Sequence, residues 1–157
     1  MNYLHTVKNI FQKIWYECDS GAHKPERAHA DDAGLDLHVQ SMRVTDRCEI
    51  LNRVIYTRYE VDTGVHIFIP RGHVGLVLPR SSMSRAGYLT HVGVIDSGYT
   101  GSIRLFMTRF GDVAPFKEGQ RIAQIVILPI NTAMPVLKSI SNMVTERGDN
   151  GFGSTGK

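Results

Sequence analysis

The sequence has 157 residues, a net charge of +3 with Lys and Arg scattered along it, and two cysteines. That length fits one domain, or one domain with a tail, and a chain of this size buries roughly 70% of its unfolded surface. A basic stripe with interleaved aromatics is missing, no apolar run nears the ~20 residues that cross a bilayer, and Cys18 and Cys48 have no redox or metal spacing, so nucleic acid and membrane are excluded as leading partners. A reducing compartment is expected: the cytoplasm, or a host cell's interior if the chain is viral.

In Met1–Tyr16, Leu4, Val7, Phe11 and Ile14 fall at helical spacing, but the Arg and Ser of a targeting helix are lacking. Residues 1–11 are therefore expected to be a short extension ahead of a β domain over 12–145. Lys13–Cys18 reads as the first strand and Asp19–Asp32 as a polar loop containing Pro25. In Ala33–Val39, Leu35, Leu37 and Val39 alternate with Asp36 and His38, which turns Asp36 away from the core. Cys48–Leu51, Val54–Val61 and Val65–Ile69 read as strands. Val74–Leu78 is almost wholly apolar, which predicts cover on both faces.

Pro79 stops that strand, and Arg80–Gly87 can form a turn of helix, over about 82–87, closed by Gly87. Val92, Val94 and Ile95, then Ser97-Gly98, then Ile103, Leu105 and Met107 predict a β-hairpin. Phe110–Gln120 reads as a loop, Arg121–Pro129 as the most apolar strand and Pro135–Ile140 as the last strand. Glu146–Lys157 is Gly-rich with Phe152 as its one large apolar side chain, which predicts a mobile tail. Short strands separated by turn signals indicate an all-β sandwich or barrel.

Four places carry candidate chemistry. Asp96 and Tyr99 flank the Ser97-Gly98 turn, where folding needs neither beyond an Asp capping its own turn. Arg80-Ser81-Ser82, at a strand end, can offer a guanidinium and two hydroxyls to an anion, or Ser can cap the helix. Gln124, in an apolar strand, either meets a backbone partner or lies where the strand emerges at a site, because an unpaired buried amide costs roughly 1–3 kcal/mol. Gly151–Lys157 has the Gly-x4-Gly-Lys spacing of a phosphate loop without the Ser/Thr and helix its mechanism requires. A Gly-rich segment with Arg147, Ser154 and Thr155 can still close over phosphates, with Phe152 stacked on a base.

Five segments in order resemble the motifs of the trimeric, all-β dUTP pyrophosphatases (dUTPases): AGLDL at Ala33–Leu37, PRSS at Pro79–Ser82, GVIDSGYTG at Gly93–Gly101, GQRIAQ at Gly119–Gln124 and RGDNGFGSTG at Arg147–Gly156. The resemblance implies a β-barrel or jelly-roll-type fold and Mg²⁺-dependent hydrolysis of dUTP to dUMP and pyrophosphate, which keeps uracil out of DNA and supplies dUMP for thymidylate synthesis. It implies a homotrimer with shared active sites. Asp96 would activate the water that attacks the α-phosphorus. Tyr99 would lie under the deoxyribose, and the backbone from Leu89 through Thr90 to Val94 would read uracil. Arg80, Ser81, Ser82 and Gln124 would hold phosphates, and Asp36 would support the metal through water. From the tail, Phe152 with Gly153 would cover uracil while Arg147, Ser154 and Thr155 clamp the γ-phosphate.

Two positions depart from the family pattern. Thr100 stands where Arg or Gln is common, and Thr90 where some members have Asn. The alternative on the same fold is a dCTP deaminase-like enzyme, since Arg80–Gly87 is similar to that family's RSS-x-x-R-x-G. Phe106 stands where such deaminases carry a proton-shuttling Glu, and Phe moves no proton. A catalytically silent regulatory relative is the third reading, and it would have no need of Asp96, Tyr99 and Gln124.

Overall fold

Alternation of buried and exposed side chains shapes most of the chain into antiparallel strands. The computed structural model describes residues 13–111 and 113–140, with residues 145 and 148. The extension expected over 1–11 and, Gly148 apart, the tail expected over 146–157 lie outside these residues. Ten strands and one short helix follow in order: β1 Tyr16–Cys18, β2 Leu35–His38, β3 Ser41–Ile50, β4 Arg53–Asp62, β5 Val65–Ile67, β6 His73–Pro79, α1 Ser81–Arg85, β7 Tyr88–Thr90, β8 Gly93–Ile95, β9 Arg104–Phe110 and β10 Arg121–Pro129.

The strands form two four-stranded sheets, ordered β2-β10-β6-β8 and β3-β4-β9-β7, and a small β1-β5 pair. From β6 to β10 the chain changes sheet at every strand, the weave of a jelly-roll-type all-β fold. The core lies between the two large sheets. Leu35, Leu37, Val77, Ala123 and Ile125 enter it from one side, and Tyr59, Val61, Leu105 and Met107 from the other. Phe116 closes one end, edge-on to Tyr59 and Tyr88 at 5.0 and 5.5 Å.

β10 spans the predicted residues, but its face is interrupted. A register shift between Arg121 and Ala123 turns Ile122 into the core, while Gln124, Val126 and Leu128 share the outer face. The predicted strand at Cys48–Leu51 is the end of the longer β3, an edge strand exposed almost throughout. One paired neighbour is enough to hold it, so its polar sequence gave no periodic signal. Leu51 and Asn52, with φ of 48° and 62°, make the two-residue turn to β4.

Three expectations need correction. The apolar run in β6 is fully covered on one face and only in part on the other: Gly75 and Val77 are buried, and on the outer face Val74 is buried whereas Leu76 and Leu78 are half-buried. Val92–Ile95 and Ile103–Met107 do not pair as a hairpin. β8 pairs β6, whereas β9 pairs β4 and β7 in the other sheet. Thr90, opposite Met107, starts a loop that leaves one sheet, adds β8 to the other and returns. Pro135–Ile140 forms no strand. Val136, Leu137 and Ile140 are exposed, since no described edge is there to pair with them.

Candidate active site

At the end of β6 a carboxylate gathers two guanidinium groups. Asp36 is only 8% exposed: it pairs with Gln124 of β10 on one side and is bridged to Glu26 on the other, its N–H donating to the Glu26 carbonyl at 2.8 Å. Its Oδ1 lies 2.9 Å from Arg80 Nε and its Oδ2 3.1 Å from Arg121 Nη1. A buried carboxylate needs such partners, and two guanidinium groups held on one acid keep further N–H donors for an anion. Arg121 was missed in the sequence, hidden as the first residue of an apolar strand. Its pairing with β2 across the register shift brings it to Asp36.

Gln124 completes this corner. Its Nε2 donates to the Pro79 carbonyl at 3.2 Å, so the backbone-partner reading of this residue holds. The carboxamide lies flat over Gly34, where a Cβ would overlap Gln124 Oε1. That contact explains the glycine in AGLDL. Ser81 and Ser82 open α1 and are exposed. The cap position is Arg80, and no side chain caps the helix, so neither serine serves as the cap. Gly87, with φ of +86°, closes the turn as expected.

Asp96 and Tyr99 lie elsewhere. Ile95 pairs with Gly75, which sets Asp96 opposite Val74, near the start of β6. Arg80 follows the last residue of that strand, six residues from Val74, or about 20 Å at the rise of an extended strand. The two clusters that the sequence assigns to one site therefore sit at opposite ends of β6. The Asp96 carboxylate is exposed. The turn closes through Tyr99 N–H to the Asp96 carbonyl at 3.2 Å. The Tyr99 ring bends over Gly101, which leaves no room for a Cβ there, and its hydroxyl donates to the Ser102 carbonyl at 2.9 Å.

The base of this turn is pinned through Asp62. Its carboxylate accepts from Ser102 Oγ, from Arg104 Nε at 2.9 Å and from Gly64 N–H at 2.9 Å. Partial burial pushes the Asp62 pKa up, but the Ser102 and Gly64 hydrogen bonds and the Arg104 charge outweigh it and hold the carboxyl below 3.8. Val94 is exposed on the outer sheet face. Thr90 is 5% exposed on β7, and its buried hydroxyl has no partner among the described residues. Phe106 is half-exposed on β9. Arg147, Phe152, Gly153, Ser154 and Thr155 lie outside the described residues.

Among the described residues, no group of three or more His, Cys, Asp or Glu side chains could hold a metal ion. Both Asp36 oxygens already face guanidinium groups. No described helix is long and apolar enough to cross a membrane.

The weave defines an all-β protein in which two guanidinium groups are held on one buried carboxylate at a sheet edge. The dUTPase family model matches residues 20–156, and the chain belongs to that family. A probable deoxyuridine 5'-triphosphate nucleotidohydrolase of Schizosaccharomyces pombe is 38% identical over 134 residues, covering 84% of this chain and 89% of the relative. The deoxyuridine 5'-triphosphate nucleotidohydrolase of Corynebacterium glutamicum is 37% identical over 139 residues, covering 85% and 87%. Among solved structures, a Staphylococcus bacteriophage 80alpha dUTPase with dUPNHPP superposes with a TM-score of 0.72 at 28% identity, over 94% of this chain and 100% of that one. A mutant dUTPase from phage phi11 of S. aureus, described with a structural Mg(II) ion, superposes with a TM-score of 0.63 at 25% identity, over 82% and 97%.

Proposed function

We propose that this protein hydrolyses dUTP to dUMP and pyrophosphate. The observation that carries the reading is the pair of guanidinium groups held on Asp36, beside the Ser81 and Ser82 hydroxyls, in a chain whose relatives are named for this reaction. Arg80, with Ser81, Ser82 and Gln124, holds the triphosphate, and Arg121 joins them. Mg²⁺ would arrive with the substrate and would supply charge neutralisation at the triphosphate. Asp36, whose oxygens face Arg80 and Arg121, would support it only indirectly, through water.

Asp96 takes a proton from water as the water oxygen bonds to the α-phosphorus. The bond from the α-phosphorus to the bridging oxygen then breaks, and pyrophosphate leaves with the electron pair. A general base must lie within hydrogen-bond reach of its water, and about 20 Å along β6 forbids that within one chain. The site is therefore shared: Asp96 and Tyr99 of one copy meet the guanidinium corner of another, in a homotrimer. The outer face, with Val94 exposed and Leu76 and Val126 half-buried, supports this assembly. Tyr99 lies under the deoxyribose. Thr90 and the backbone around Val94 read uracil. The segment from Arg147 to Thr155, through Phe152, Gly153 and Ser154, closes over base and γ-phosphate. Phe106, in place of an acid, speaks against deamination.

The test is pyrophosphate release from a panel of dNTPs with Mg²⁺, beside the mass in solution. Turnover confined to dUTP by a trimer is expected. Equal turnover of dCTP, ammonia release, or an active monomer overturns the reading.

A further inference from the structure

The turn that carries Asp96 and Tyr99 is held from outside by one imidazole. His66 lies on β5 between Val65 and Ile67, both buried, so its backbone is fixed in the small sheet. Its Nδ1 lies 2.8 Å from the Thr100 carbonyl, within the Gly93–Gly101 motif, and its Nε2 lies 3.2 Å from Asp19 Oδ1. Asp19 is itself anchored, its N–H donating to the Gly64 carbonyl at 2.8 Å. A carbonyl and a carboxylate are both acceptors, so the ring needs an N–H on each nitrogen to satisfy them. Only the imidazolium has two. The neutral ring has one, and in either tautomer it turns a lone pair toward one of the two oxygens.

We infer that His66 is a positioning residue for dUTP hydrolysis: as the imidazolium it ties Thr100 to Asp19 and fixes the turn that presents Asp96 and Tyr99. The inference rests on the proposed reaction for its kinetic part only. The acidic groups facing the ring are Asp19 and, directly across the β1–β5 pair, Glu17; Tyr16 and Tyr99 line the same cleft of about 370 Å³, and among the described residues no Lys or Arg does. The Thr100 carbonyl raises the His66 pKa most, partial burial lowers it, and Asp19 and Glu17 bring it to rest above 6.5. A raised folded-state value means that the tie is complete below about pH 6.5 and is lost as pH rises through the folded value.

Wild type, His66→Gln and Asp19→Asn separate this role from plain structure. Gln keeps one N–H for Thr100 but does not titrate. Two measurements are needed: the pH dependence of kcat, and an NMR titration of the His66 ring with the Tyr99, Thr100 and Gly101 amides. Wild-type kcat should decline severalfold on the alkaline side at the NMR pKa of His66. His66→Gln should lack that limb, and Asp19→Asn should move ring, amides and limb together to lower pH. A ring that titrates at or below 6.5, amides that ignore it, or superimposable wild-type and Gln profiles would overturn the inference. A wild type without dUTP turnover at any pH would sink the reaction, while the ring and amide titrations would still judge the tie.

Discussion

The two ends of β6 are held in different ways. At its C-terminal end the functional side chains themselves are held: Asp36 fixes Arg80 and Arg121, and Gln124 is fixed on the Pro79 carbonyl over Gly34. At the other end the turn is held around a free side chain: the Asp96, Thr100 and Ser102 carbonyls accept from Tyr99 N–H, His66 and Tyr99 Oη, Asp62 pins the base, and the Asp96 side chain is exposed. The first arrangement suits groups that must bear charge at a set spacing before the ligand arrives. The second suits a group whose partner comes from another molecule, as the proposed shared site requires of the Asp96 carboxylate. Under that proposal, anion binding is built into one chain and water activation between chains.

Substitutions at the two ends should separate accordingly. The largest effect is expected from Asp96→Asn. It removes the proton acceptor from an exposed side chain, so turnover should fall by about two to four orders of magnitude with melting temperature unchanged. Pyrophosphate release beside thermal unfolding checks both, and a wild-type rate would remove Asp96 from the mechanism. Next is deletion of residues 147–157, where loss of the substrate contacts proposed for Arg147 and Phe152 should lower kcat at least about tenfold and leave the mass in solution unchanged. Full activity of the truncated chain would make the segment irrelevant to turnover.

Asp36→Ala should do the reverse of Asp96→Asn, acting on stability as well as binding. Two guanidinium groups lose their acceptor, at a cost of about 2–3 kcal/mol, less than for a fully buried pair because Arg121 is half-exposed. Urea unfolding should register that loss, and KM for dUTP should rise. Unchanged urea unfolding together with a KM defect would make Asp36 a ligand group alone. The smallest effect concerns acid. The Asp62 carboxyl has a lowered folded-state pKa, so its contribution is full above about pH 3.9 and is lost as pH falls through the folded value. Wild type should exceed Asp62→Asn in urea midpoint at pH 6, with the gap closing on acidification. A gap constant from pH 6 to 3 would show that Asp62 acts by packing.

Most of the sheet was legible because β2, β4, β5, β6 and β10 each bury a regular set of side chains. What failed was pairing. The sequence of the Asp96 turn shows two apolar runs around Ser97-Gly98, and local pattern cannot tell a hairpin from a loop whose arms join different sheets. β7 was missed because Tyr88, Leu89 and Thr90 are too few to show a period. The strand expected at Pro135–Ile140 has the composition of a strand, but pairing is a property of a neighbour and not of the segment. The candidate residues Arg80, Gln124, Asp96 and Tyr99 were legible from the motifs, and the structure places the first two at one end of β6 and the last two at the other. Arg121 was not legible, since its role comes from a register shift that leaves no mark in composition. The separation of Asp96 from Arg80 became visible only from the β6–β8 register.

The sheet-to-sheet weave from β6 to β10 also bears on how the molecule is made. β8 falls between β7 and β9 in the chain but lies in the opposite sheet. The β7–β9 ladder therefore encloses a loop whose middle is already committed to β6. No stretch from β6 to β10 can zip up as a local hairpin, and each ladder there waits for chain closure across many residues, which puts folding in the slow, high-contact-order range of β proteins. The Asp96 turn takes shape only when both sheets meet, so a partly folded chain lacks the turn to which catalysis is assigned by the proposed mechanism.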